Sequence, residues 1–301
     1  MNASVHVLEK VCAATVGVHA YVPSEHVSAA IGLGTDRRGT GVIVSSDGVI
    51  LTVYYLVMGA RNVIVALSNG EQMQARVVAQ DYRTGIGLLK IDHRNLPHLE
   101  VVSSAQCALG QEVFIVTSSG ADQRCADCGV VSYLGPFDAV WEFVLERSVC
   151  MMTSAMNVAS SGGPICNSRG QMVAASYLNF VDIGRSVLGI PAECFLQARD
   201  ELIQHGKRVT TPKAWLGVLS YTLREHVVIA GLMPGGPGEK AGLKQGDVLL
   251  AADGHDISER RMLYDTLLKH LPGDRISFTV LRNNQVYSLA IPTIGAEEYF
   301  A

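Results

Sequence analysis

The strongest constraint in this chain is a repeated pattern: short β-branched runs closed by two-residue turn signals. "GTGVIVSSDGVILTV" reads as strand, Asp-Gly turn, strand. "NVIVALSNGEQMQARVVAQ" repeats this around Asn-Gly. "IGLLKID", "EVFIVTS", "CGVVSYLG", "WEFVLERSV", "GPICNSRGQMVAASYL" and "RSVLGIP" continue the series from residue 5 to about 195. About a dozen short strands with little helix predict a mainly β fold, a closed barrel or a pair of barrels.

A helix is predicted next, in "PAECFLQARDELIQHG", where Phe195, Leu196, Ala198, Leu202 and Ile203 recur at helical spacing and Gly206 ends the run. "KRVTTPK" (207–213) then reads as a polar, proline-containing linker. Beyond it the texture changes. "WLGVLS", "HVVIAGLM", "DVLLAADG", "RISFTVLR" and "QVYSLAIP" read as strands, interrupted by helical "GEKAGL" and "ISERRMLYDTLLKHL". The expected organisation is a barrel domain over 1–206, a linker over 207–213 and a small α+β domain over 214–301.

With 301 residues, two domains can each bury a core. Hydrophobic residues are 48% and charged residues 17%, which argues against disorder. The net charge of −4 and the lack of a basic cluster give no reason to expect nucleic acid as a partner. No apolar run approaches the ~18 residues of a membrane span. "MNASVHVLEKVCAATVGVHA" has no basic start followed by an apolar block, so the expected compartment is the cytoplasm, a trimmed periplasmic signal being the alternative.

Together, "GTGVIVSSDGVILT", "LLKID", "SSGGPICNSRGQMV", "WLGV" and "PGGPGEKAGLKQGDVLLAADG" resemble the HtrA/Deg proteases, a trypsin-like double β-barrel followed by a PDZ domain. The resemblance covers nearly the whole chain. It places the family's nucleophilic serine on Ser161. The family's histidine position falls on Tyr55, in "TVYYLV", and its aspartate position on Gly85, in "RTGIGLLK". The glycine whose N–H helps form the family's oxyanion hole is Ala159, preceded by Val158.

These departures have chemical consequences. A serine needs a base near its working pKa, and the base needs a carboxylate to hold its tautomer. A phenol with a reference pKa near 10 is about one part in a thousand ionised at pH 7, and burial raises that pKa. Gly85 supplies no carboxylate. Ala159 lacks the conformational freedom of glycine in the oxyanion turn. The expectation is a pseudo-protease with a filled cleft, in which Tyr55 hydrogen-bonds Ser161, and the chain acts as a protein-binding scaffold or assembly factor. The alternative is an active, non-canonical serine endopeptidase or chaperone-protease using Ser161, with Asp81 or His26 as the rescuing group; a weaker one is a metal or redox accessory protein.

The resemblance also implies that a PDZ groove takes peptide C-termini, the carboxylate being held by the loop Leu216, Gly217 and Val218. Leu263 and Leu267 of the adjoining helix are expected to face the core. The segment "EEYFA" is a candidate occupant of that groove, and family members often form homo-oligomers. No cofactor is expected. "RCADCG" offers Cys125 and Cys128 as weak metal or redox candidates, but four-ligand zinc needs a second pair, and this one runs into a predicted strand. "CMMTSAM" groups Cys150, Met151, Met152 and Met156, soft ligands or packing side chains.

Overall fold

The computed structural model describes residues 3–118, 120, 123–139, 143–153, 161–180, 186–210 and 212–301. It divides into two compact units. One comprises Met1–Phe137 with Leu145–Arg208, the other Asp138–Val144 with Val209–Ala301.

The first unit opens with helix α1 (Ala3–Ala14). Here the chain departs from the strand pattern expected from residue 5. Val7, Val11 and Ala14 fall at helical spacing. Val11 and Ala14 are buried, and Val7 and Val11 lie over Gly170. Six strands then close a barrel: β1 (Thr15–Tyr21), β2 (Asp36–Ile43), β3 (Val49–Val53), β4 (Asn62–Ala66), β5 (Gln72–Asp81) and β6 (Ile86–Ile91), in the order β1-β2-β3-β6-β5-β4. Pairing of β1 with β4, Gly17 opposite Ala66, completes the ring. The Asp-Gly and Asn-Gly signals sit where expected, joining β2 to β3 and β4 to β5. A short helix, α2 (Tyr54–Val57), follows β3 directly.

The second barrel repeats the plan with β7 (Glu112–Ser118), β8 (Arg124–Ala139), β9 (Phe143–Thr153), β10 (Pro164–Asn167), β11 (Met172–Phe180) and β12 (Ser186–Pro191), ordered β10-β11-β12-β9-β8-β7. Its interior holds Val113, Ile115, Val149, Met151, Ile165, Ala174 and Val187. Helix α3 (Ala192–His205) packs Phe195, Ala198 and Leu202 inward, and the N–H of Gly206 returns to the Leu202 carbonyl at 2.9 Å. Leu196 and Ile203, 40% and 38% exposed, lie outside that buried stripe.

The second unit is a sheet ordered β13-β14-β15-β17-β18: β13 (Val218–Leu223), β14 (His226–Leu232), β15 (Val248–Ala252), β17 (Arg275–Arg282) and β18 (Gln285–Pro292). The short β16 (His255–Asp256) pairs with β15. Helices α4 (Pro237–Lys240), α5 (Arg260–Leu267) and α6 (Ala296–Tyr299) accompany it. Leu263 and Leu267 join Phe278, Ile276, Val280 and Leu249 in its core, as their spacing predicts. At about 25 cal/mol per Å² of apolar surface, each fully buried leucine contributes roughly 1.5–3 kcal/mol.

Candidate functional site

The turn that carries Ser161 is tied to both barrels by backbone bonds. The N–H of Thr40, on β2, donates to the Ser161 carbonyl at 2.8 Å, and the N–H of Gly162 donates to Ser176 O, on β11, at 2.7 Å. Tyr55 reaches the same place from the other side, because α2 turns sharply at the end of β3. That helix is held by Arg37, only 5% exposed. Its guanidinium donates to the carbonyls of Tyr55 at 2.6 Å, Met58 at 3.0 Å and Gly34 at 3.0 Å, and to Ser28 Oγ at 2.7 Å. Four oxygens thus receive a charge that burial pushes down to a pKa of about 10, still protonated at neutral pH.

Tyr55 Oη lies 2.6 Å from Ser161 Oγ and 3.0 Å from the carbonyl of Tyr177, which is itself 3.4 Å from Ser161 Oγ. The Tyr55 and Tyr177 rings meet edge to face at 5.2 Å. The two hydroxyls carry one proton each. Either the serine donates to the phenol and the phenol to the carbonyl, or the phenol donates to the serine and the serine to the carbonyl. Both chains end on a peptide carbonyl, which does not hold a proton near neutral pH. Within this group the serine proton has no basic destination.

Gly85 closes the turn between β5 and β6. Its N–H donates to Asp81 O at 2.9 Å, its carbonyl accepts from Tyr54 N at 2.9 Å, and its φ is +89°. A side chain there would be strained. The nearby carboxylate, Asp81, is buried and turned to other work. It accepts from Arg83 N at 3.0 Å, Thr84 Oγ1 at 2.5 Å and Arg208 Nε at 2.9 Å. His26 packs against Gly59, with Nδ1 2.7 Å from Ser28 Oγ. Ala159 and Val158 lie outside the described residues. The sequence does not announce Tyr177 or Arg37: the first acts through its backbone carbonyl, which no side-chain pattern marks, and the second, at the start of β2, lies in the polar run Thr-Asp-Arg-Arg that reads as a loop.

In the second unit the loop before β13 has a defined geometry. The carbonyl of Leu216 accepts from Gly238 N, and that of Gly217 from Met233 N, both at 2.8 Å. Among the described residues no peptide bond is cis, so the N–H groups of Gly217 and Val218 point opposite to those anchored carbonyls. Gly217 has φ +69°, which permits this turn. The side chains of Leu216 and Val218 belong to the core, 1% and 8% exposed, so the outer face of the loop is backbone. Among the described residues β13 pairs only with β14, leaving its outer edge beside α5. The segment 296–300 is folded onto Trp215: ring centroids are 4.7 Å apart for Tyr299 and 5.6 Å for Phe300.

Cys125 and Cys128 lie on β8, opposite Thr117 and Phe114 in an unbroken register. Odd spacing on a strand sends the two side chains to opposite faces. Their Cα atoms are about 10 Å apart at strand rise, beyond the ~7 Å limit for a disulfide. Among the described residues no group of three His, Cys, Asp or Glu side chains is placed to hold a metal ion. Met151 is core, Met152 is 49% exposed, and burial raises the Cys150 thiol pKa. Met156 lies outside the described residues.

The two closed barrels define a trypsin-like peptidase fold and the third sheet a PDZ fold. Residues 39–174 match the trypsin-like peptidase domain model, and residues 214–293 match the PDZ domain model. The chain thus has the domain composition of the HtrA/DegP-type serine proteases. It is 29% identical over 284 residues to a probable periplasmic serine endoprotease DegP-like of Halomonas elongata, a match covering 88% of this chain and 58% of that protein. To the serine endoprotease DegS of Haemophilus influenzae it is 27% identical over 273 residues, covering 88% and 78%. The chain therefore spans a little under three-fifths of the DegP-like relative. Among solved structures, the HtrA-type protease AlgW with a decapeptide superimposes with a TM-score of 0.63 at 24% identity, covering 97% of this chain and 98% of that one. The serine endoprotease from Yersinia pestis does so at 0.64 and 23%, covering 98% of each. These likenesses speak to the fold. The cytoplasmic expectation is overturned, because the DegP-like relatives are named as periplasmic. That expectation rested on the first twenty residues, and nothing in the barrels or the sheet ties them to a compartment. No helix among the described residues is long and apolar enough to cross a membrane.

Proposed function

We propose that this chain is a periplasmic HtrA-type pseudo-protease, a scaffold that holds protein segments without cutting them, with its PDZ domain taking peptide C-termini. One observation carries the reading: Ser161 Oγ is 2.6 Å from a phenol in the position of the catalytic histidine. Gly85 offers no orienting acid, and Asp81 is committed to Arg208 at 2.9 Å. A triad acts as a unit, so losing base and acid together leaves at most residual activity. The outward N–H groups of Gly217 and Val218, beside the edge of β13 that pairs with no other described strand, support carboxylate capture and strand addition.

A second reading is an active endopeptidase, favoured by the relatives being named as serine endoproteases. Casein hydrolysis and diisopropyl-fluorophosphonate labelling, each with a Ser161→Ala control, separate the two. The scaffold reading expects neither cleavage nor labelling above the control. Stoichiometric labelling of Ser161 sinks it.

A further inference from the structure

The carboxylate-facing loop does not hold itself. The Gly217 carbonyl is fixed by Met233 N at 2.8 Å, and Met233 begins the run Met-Pro-Gly-Gly-Pro-Gly over 233–238. Two adjacent glycines leave this run little intrinsic order beyond its own turn bond, Gly236 N to Met233 O at 2.9 Å. Besides the backbone bonds from Met233 N and Gly238 N to the loop, two side chains pin it. Gly235 N donates to Glu239 Oε2 at 2.6 Å, and Tyr299 Oη donates to Pro234 O at 2.6 Å. The Tyr299 ring packs at a tilt against Trp215, centroids 4.7 Å apart, and Phe300, 7% exposed, closes against both, 5.6 Å from Trp215 and 4.8 Å from Tyr299. Trp215 directly precedes the loop, and its indole lies under Gly217. Its backbone is also stitched to the stretch leading into α6, Trp215 N donating to Ile294 O at 2.8 Å.

We propose that Tyr299 and Phe300 form a clasp that sets the peptide plane of Gly217, and are therefore positioning residues for carboxylate recognition. The inference rests on the peptide-binding reading above. Tyr299 acts at two places on one lever: its ring steadies the residue before the loop, and its hydroxyl steadies the segment that anchors the loop from behind. The N–H of Val218 is aimed only as well as the Gly217 carbonyl opposite it is held. The same segment 296–300 is committed to Trp215, which assigns it to the back of the loop rather than to the groove as a ligand.

The test uses the full chain and a panel of fluorescein-labelled hexapeptides ending in Val, Leu, Ile or Phe, each with a free carboxylate or an amide. The readout is the affinity ratio of the two forms, beside the melting temperature. Tyr299→Phe keeps the ring and loses only the hydroxyl. It should reduce free-carboxylate affinity about two- to tenfold while leaving amide binding nearly unchanged, and should lower the melting temperature by no more than the loss of one exposed hydrogen bond accounts for. Phe300→Ala should reduce the ratio further, and Phe300→Trp should restore it. A wild-type chain that prefers the carboxylate, with both variants keeping the same ratio, overturns the clasp alone. A wild-type chain that binds none of the panel, or shows no preference for the carboxylate, overturns the peptide-binding reading and the clasp with it.

Discussion

At the level of single residues, the contest is between a hydroxyl and its surroundings. Tyr55→Phe removes the 2.6 Å partner of Ser161. It should reduce stability by about 1 kcal/mol, the value of one such bond, without making the serine reactive. Thermal denaturation beside fluorophosphonate labelling checks both halves; labelling in the variant would mean the phenol had been masking a competent nucleophile. Restoring the triad by Tyr55→His with Gly85→Asp should also fail. An aspartate at φ +89° starts with a strain of about 1–3 kcal/mol, and relieving it moves the carboxylate off line. Casein hydrolysis by the double variant would contradict this. Much of this site was legible in the sequence, because Tyr55, Gly85 and Ser161 each sit inside a recognisable run. The Tyr177 carbonyl was not, since a backbone acceptor leaves no mark on residue type.

Among the elements, two arginines do the joining, Arg37 buried and Arg208 largely so. Arg208 links the β5–β6 turn to the chain leaving α3 through Asp81, which is 2% exposed. Asp81→Asn leaves a largely buried guanidinium short of its counter-charge and should destabilise by about 3 kcal/mol. Denaturant titration reads this, and an effect below 1 kcal/mol would show the pair to be dispensable. Arg37 does for α2 what a cap does elsewhere, since its donors take carbonyls the short helix cannot satisfy. The strands were legible because alternation and turn pairs repeat over most of the barrels. Helix α1 was not: Val5 and Val7 look like strand residues, and its burial against Gly170 depends on a partner more than 150 positions away.

Across the whole molecule, sensitivity to acid comes from carboxylates held below their usual range. In the PDZ unit the clearest is Asp247, 1% exposed. Burial raises its carboxyl pKa, but bonds from Arg282 and from Lys244 N outweigh that and hold it below the usual carboxylate range. A carboxyl depressed in the folded state binds fewer protons than in the unfolded chain. Its stabilisation is full above the ordinary carboxylate pKa, about 4, and fades as pH falls below it. Arg282→Gln should therefore lower the melting temperature of the PDZ transition at pH 7 and flatten its dependence below pH 4. Calorimetry across that range checks the sign. The change of texture after residue 206 lies close to where the two units part, between Arg208 and Val209, whereas nothing in the sequence announces that Asp138–Val144 groups with the second.

The two exposed thiols of β8 carry a practical consequence. Held on opposite faces of one strand, they cannot quench each other. In an oxidising medium each must find its match elsewhere, in a small thiol or in a neighbouring molecule. Stored without reductant, the protein should accumulate mixed disulfides and a covalent ladder on a non-reducing gel, and the Cys125→Ser/Cys128→Ser variant should run mainly as a single band.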